Sequence, residues 1–155
     1  MVRVRSGARV RLIPPLVYVV PFVLTWSLQQ WRPWSIGGSG ALNAAGLALL
    51  AGGIAVMLWS VVTMLRAKTT VIPWEQVSTI VSTGPFRFSR NPIYLADAIT
   101  YLGGSLLIHG WWPILLLPAI VVMIRRMVID REERYLTGRF GDVYRQYQLR
   151  VRRWI

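Results

Sequence analysis

The sequence predicts an all-α integral membrane protein: about four transmembrane helices with a C-terminal amphipathic helical segment over the cytoplasmic face. Three observations carry this. The chain of 155 residues is 54% hydrophobic with a positive mean hydropathy, which suits one domain, 1–155, and is too apolar for an ordinary soluble one. Four apolar stretches, 12–28, 41–65, 92–108 and 111–129, reach or approach the ~20 residues that cross a hydrocarbon core. Basic residues are one-sided. Under a four-span layout seventeen of the 18 Lys and Arg face one compartment and Arg32 alone faces the other, which puts both termini in the cytoplasm.

In chain order, Arg3, Arg5, Arg9 and Arg11 precede the first apolar stretch. Pro14, Pro15 and Pro21 interrupt that stretch and no small-x-small site follows before Trp31, so it reads as a retained, proline-kinked helix rather than a cleaved leader. The turn Ser35-Ile-Gly-Gly-Ser-Gly40 makes a hairpin with the second span. There Ala41, Ala44, Ala45, Ala48, Gly52 and Ala55 would allow a neighbouring helix to approach closely. Thr69, Thr70, Pro73, Glu75, Gln76 and Ser78 mark 67–83 as a polar cytoplasmic loop. Gly84-Pro85 punctuates its end, and Asn91-Pro92 fits a helix start with Asn91 as N-cap and Pro92 in the first turn. The third helix then begins at the membrane surface with the positive end of its dipole beside Arg87 and Arg90, where it can receive an anion.

His109-Gly110 closes a tight hairpin into Trp111 and Trp112, which suit the far interface, and His109 reads as an interfacial residue. The apolar part of the fourth span ends at Ile124, so Arg125 and Arg126 are expected to snorkel from a continuing helix. In 130–155, Leu136, Phe140, Val143, Tyr144, Tyr147 and Trp154 recur at helical spacing among arginines, as in a helix lying over the cytoplasmic mouth of the bundle. Gly138 and Gly141 are expected to break it, with Asp142 capping the second piece.

Composition also excludes. The net charge of +12 is accounted for by topology and contact with anionic membrane lipids, and no nucleic acid is implied. With no cysteine and His109 as the one histidine, disulfides, thiolate chemistry, a zinc site or a serine-histidine relay are not expected, and no metal is predicted. Small size and absence of cysteine point to a prokaryotic plasma membrane. No oligomeric state follows from the sequence.

The chemistry-bearing residues cluster at the cytoplasmic ends of the third and fourth spans. Glu132 and Glu133 point about 100° apart on a helix. One of them can meet a ligand or Arg87 or Arg90, or both can balance an arginine-rich tail. Arg90, Asn91, Pro92 and Tyr94 fit positive-inside charge, a helix cap and an interfacial tyrosine as well as a site. Asp97, one turn past Tyr94, is close enough to the surface to pair with an arginine.

The pattern Gly84-Pro-Phe-Arg-Phe-Ser-Arg-Asn-Pro-Ile-Tyr-Leu95, then Glu132-Glu133, Leu136, Phe140-Gly141, Tyr144, Tyr147 and Val151-Arg-Arg-Trp-Ile155, resembles the isoprenylcysteine carboxyl methyltransferase and phospholipid methyltransferase superfamily of integral membrane enzymes. The match runs from about residue 69 to the end. The resemblance implies S-adenosylmethionine as cofactor, with S-adenosylhomocysteine as product. It implies a cytoplasm-facing pocket made by the last two helices and the C-terminal segment. Carried onto this chain, the matching positions are Arg90, Pro92, Tyr94, Glu132 and Glu133. Asn91 stands where the carboxyl methyltransferases usually have histidine; it can hydrogen-bond but carries no imidazole proton, which argues against a histidine base there. Arg87, Tyr144 and Tyr147 join these as candidate cofactor contacts. Arg153 is the candidate substrate contact, and Arg90, Glu133 and Asp97 are the catalytic candidates. The implied activity is methylation of a lipophilic or membrane-associated small molecule or lipid, read as carboxyl or O-methylation of isoprenylcysteine type. The alternatives are phospholipid amine N-methylation and a non-catalytic membrane scaffold whose basic tail binds anionic lipid.

Overall fold

A computed structural model describes residues 14–72 and 75–155. The expectations for Arg3, Arg5, Arg9, Arg11, Pro73 and the first two residues of 12–28 lie outside the described residues. Within them the chain is helical: α1 (Pro14–Trp31), α2 (Gly40–Arg66), α3 (Pro92–Leu107), α4 (Trp111–Ile124), α5 (Asp130–Phe140) and α6 (Asp142–Arg150). A 3-10 turn, Gly84–Arg87, leads into α3, and a π turn, Arg125–Ile129, joins α4 to α5 without a break. Two helical runs are long and apolar enough to cross a membrane, Gly40–Arg66 and the continuous Trp111–Phe140.

The bundle is held from within by α1, α3 and α4. Val17 and Tyr18 of α1, Tyr94 and Tyr101 of α3, and Ile120 and Ile124 of α4 form one buried cluster, with Val128 and Ile129 of the π turn continuing it. Pro21 sits inside α1, as the sequence suggested, and the hydroxyl of Thr25 donates to the Pro21 carbonyl. Helix α2 lies outside this cluster and packs chiefly on α3. Its buried residues are Gly46, Gly53 and Ser60, and it presents Leu47, Ile54, Leu58, Val62 and Leu65 outward, as a lipid-facing helix does.

The close approach of α2 and α3 corrects the sequence reading. Ala41, Ala44, Ala45, Ala48, Gly52 and Ala55 are exposed, and the seam lies on another face of α2. A Cβ on Gly53 would stand 2.8 Å from the Thr100 amide nitrogen, and one on Gly103 2.6 Å from that of Leu50. A helix apolar all round does not announce in its sequence which stripe is packed.

At the far end, the Trp34 ring meets Trp112 edge-on at 5.1 Å, and Trp112 Nε1 donates to the Arg32 carbonyl. This ties the α1–α2 turn to the α3–α4 turn. His109 adopts a left-handed backbone conformation in that hairpin and shares a hydrogen bond with Asn43. At the opposite end two expectations are corrected. Gly138 lies inside α5, and only Gly141, at φ 55°, breaks the segment. Asp142 is the first residue of α6 rather than its cap, and its carboxylate pairs with Arg145.

Candidate functional site

The segment between the 3-10 turn and α3 is fixed by the C-terminal tail. The Arg90 amide donates to the Arg152 carbonyl at 3.0 Å, while Ser89 Oγ and Asn91 Nδ2 both donate to the Arg153 carbonyl. Asn91 thus stands at the N-cap position, but its side chain does not cap the helix; it holds the tail. From α6, Tyr147 donates its hydroxyl to the Phe86 carbonyl at 2.7 Å, clasping the same segment from another side. Trp154 packs against the buried cluster, which anchors the tail.

This framework aims Arg90 at α5. Arg90 Nη2 lies 3.2 Å from Glu133 Oε1, and both side chains are about nine-tenths buried. Arg153 completes the arrangement: its Nε donates to Glu133 Oε1, its Nη2 to Glu133 Oε2, and its Nη1 lies 3.1 Å from Asp130 Oδ1. Charges of alternating sign therefore run Arg90, Glu133, Arg153, Asp130. The neighbouring Glu132 faces a different partner, accepting the Tyr94 hydroxyl at 2.9 Å. Tyr94 is itself steadied by Tyr18, whose hydroxyl donates to its backbone carbonyl.

These groups surround a cavity of about 130 Å³. Its charged, amide and aromatic polar lining is Arg90, Asn91, Tyr94, Glu132 and Glu133 with Tyr135, Tyr144 and Tyr147, and most of its remaining wall comes from the α2–α3 connection, including Thr69, Thr70 and Thr79. Two polar atoms here are buried without a hydrogen-bond partner, Arg90 Nε and the Tyr135 hydroxyl. Buried donors left unpaired are costly, so their convergence on one cavity marks it as a place for a polar ligand.

Electrostatics separates the titrating groups. Burial pushes the Glu132 carboxyl up to about 7, opposed by the Tyr94 hydroxyl bond and reinforced by the Glu133 charge. Burial also pushes the Tyr147 hydroxyl up to about 12, against the pull of Arg90, and raises Tyr144. The bond to Glu133 raises Arg153 further, so it stays a cation.

Of the sequence candidates, Arg90, Asn91, Pro92, Tyr94, Glu132, Glu133, Tyr144 and Tyr147 meet at this cavity. Three do not line it. Arg87 is exposed at the end of the 3-10 turn, because the turn directs the buried Phe86 inward instead. Asp97 sits deeper along α3, where Oδ2 is buried without a partner. Arg153 stands behind Glu133, beside an outer groove shared with Asp130, Thr137 and Gln148. Sequence reasoning missed Tyr135, whose place next to the two glutamates was the available signal. It also missed the aliphatic side chains of 67–83, which alternate with the polar ones that drew attention.

The family model described as Phospholipid methyltransferase matches residues 42–143, from α2 to the start of α6, and so takes in Arg90, Tyr94, Glu132 and Glu133. A protein of Haemophilus influenzae described only as uncharacterized is 40% identical over 55 residues, which is 36% of this chain and 78% of that protein. No solved structure matches the chain.

Proposed function

The chain belongs to the phospholipid methyltransferase family, and from that premise we propose an S-adenosylmethionine-dependent methyltransferase acting at the cytoplasmic face on a lipophilic acceptor held in the membrane. The observation that carries the reading is the unpartnered Arg90 Nε in a cavity that also holds two carboxylates. An amino-acid zwitterion such as the cofactor's tail needs a guanidinium for its carboxylate and an acceptor for its ammonium. Arg90 Nε suits the first. Glu133 suits the second: a carboxylate has about four acceptor positions, and Arg90 and Arg153 take up three contacts on it. Tyr144 and Tyr147 offer ring faces to a sulfonium or to adenine. The bound cofactor supplies an electrophilic methyl group. Methyl transfer is an in-line displacement, so the protein's contribution is to hold the nucleophile at near-attack distance and to receive its proton where it has one.

Between the acceptor chemistries, we favour an amine over the carboxyl or O-methylation of isoprenylcysteine type that the sequence put first. A carboxylate acceptor needs an orienting cation, and Arg90, already engaged by Glu133, is the one arginine or lysine among the described lining residues. An ammonium must instead lose a proton before attack. Glu132, raised to about 7 and bonded to Tyr94, is placed to take it. The same proposal retains four spans with α1 and α3 crossing beside the two long apolar runs, both termini cytoplasmic, in a prokaryotic plasma membrane.

The test is calorimetric binding of S-adenosylhomocysteine to protein in lipid nanodiscs, followed by methyl transfer to extracted lipids and to synthetic prenylcysteine acids. Saturable binding lost in Glu133→Gln, with labelling of an amine lipid, supports the reading. Labelling of the acids alone selects carboxyl methylation, and no binding by folded protein selects the scaffold.

A further inference from the structure

The cavity is divided by chemistry, and the cofactor accounts for only one half. Its charged groups, Asn91 and its tyrosines come from the start of α3 and from α5 and α6. The other side is mainly aliphatic: Val71, Ile72, Val77, Ile80 and Val81, interspersed with Thr69, Thr70 and Thr79, all on the connection between α2 and α3. Each of these five aliphatics is partly buried, whereas Glu75, Gln76 and Ser78 on the same segment are exposed and do not line the cavity. A surface loop ordinarily turns its polar side chains to water and has few branched aliphatics to dispose of. This one directs five toward a cavity whose far side holds charges. Continuity with the bilayer surface supplies the second observation. Met64, in the last turns of α2, lines the cavity, and Leu58, Val62 and Leu65 around it are exposed on the lipid-facing helix.

We infer that the α2–α3 connection seats the hydrocarbon chain of the acceptor, with Ile72 and Ile80 setting how much chain is held. The inference rests on the methyltransferase reading for the identity of the chain's headgroup. An amphiphile whose chain lies along Met64, Ile72 and Ile80 has its polar end directed to Glu132 and Tyr94, where transfer takes place. The apolar wall thus fixes depth, and the polar wall fixes chemistry. A water-soluble amine of the same headgroup finds no such seat and binds without register.

The experiment measures binding of octyl, decyl and dodecyl phosphoethanolamine to the full chain in nanodiscs, for the parent and for Ile72→Ala/Ile80→Ala. Leu47→Ala on the exposed face of α2 serves as control, and circular dichroism verifies that each protein is folded. In the parent and the control, affinity should rise about fourfold for each methylene seated, the increment expected for apolar burial. In the double variant that slope should flatten, with dodecyl binding weakened about tenfold or more, while binding of S-adenosylhomocysteine stays within about twofold because its polar contacts are untouched. Parallel slopes in parent and double variant, or no dependence on chain length in the parent, overturn the inference. Val77→Trp gives a second reading: filling the wall should exclude dodecyl more than octyl, and equal loss for both counts against the seat. If S-adenosylhomocysteine fails to bind yet the slope follows Ile72 and Ile80, the chain seat stands and the methyltransferase reading falls.

Discussion

On α5 the carboxylates of Glu132 and Glu133 leave the helix about 100° apart, and the surrounding residues give each a separate partner. Glu133 lies between two arginines and stays tied to them, while Glu132 holds only a neutral hydroxyl and titrates near neutrality. Because burial raises the Glu132 pKa, the base form is scarce below pH 7 and abundant above it. Methyl transfer to an amine should therefore rise through about pH 7 in the parent. Glu132→Gln should lower the rate by about 10²-fold or more and remove that rise, measured as initial rates across pH with cofactor saturating. An unchanged profile would take the proton-accepting role away from Glu132. Arg153 acts at one remove. Arg153→Ala leaves Asp130 unpaired and Glu133 with Arg90 alone, so S-adenosylhomocysteine affinity should fall about tenfold, roughly 1.4 kcal/mol. Arg153→Lys should restore little of this, because an ammonium cannot reproduce the two-pronged contact with Glu133. Full rescue by lysine would reduce the role of Arg153 to bare charge.

At the scale of elements, the π turn Arg125–Ile129 decides where both glutamates point. An i→i+5 turn takes up one residue more than an α turn, so everything beyond it lags by about 100°. Deleting Met127, a partly exposed residue within that turn, should restore α geometry and swing Glu132 and Glu133 off the cavity together. The expected result is loss of S-adenosylhomocysteine binding by calorimetry with helix content by circular dichroism retained; binding that survives would show the turn to be incidental. This element was not legible in the sequence, since a one-residue change of register leaves no mark on an apolar run that ends in arginines. Helix ends were legible where the signal is local. Proline and glycine bounded α3 and α2, whose ranges Pro92–Leu107 and Gly40–Arg66 lie within a residue of 92–108 and 41–65. The candidate site was legible as a set of residues and not as a set of contacts. The tail that returns to residues 89–91 does so through its backbone, which side-chain identity does not encode.

For the whole molecule, a single layout links fold to function. The polar cavity opens where α3 begins and α4 passes into α5, on the side that carries nearly all the positive charge of the described residues, while Trp34, Trp111 and Trp112 gather at the opposite end. A soluble cofactor and a lipid-borne acceptor can meet there only if that side is the cytoplasm and the helices beneath it cross the bilayer. Two helical runs have the length and composition to cross unaided. The other two helices, α1 and α3, supply buried tyrosines to the shared core, and in the bilayer they would span because α2 and α4 carry them. Absence of cysteine makes this directly testable, since any introduced thiol is the sole label site. Gly38→Cys, in the exposed turn between α1 and α2, and Ser82→Cys, in the exposed approach to the 3-10 turn, lie at the two ends of α2. In intact cells a membrane-impermeant maleimide should label the first and spare the second, and in inverted vesicles the order should reverse. Labelling of both from one side would mean that α2 does not cross, and the cavity could then no longer be supplied from the bilayer on one face and the cytoplasm on the other.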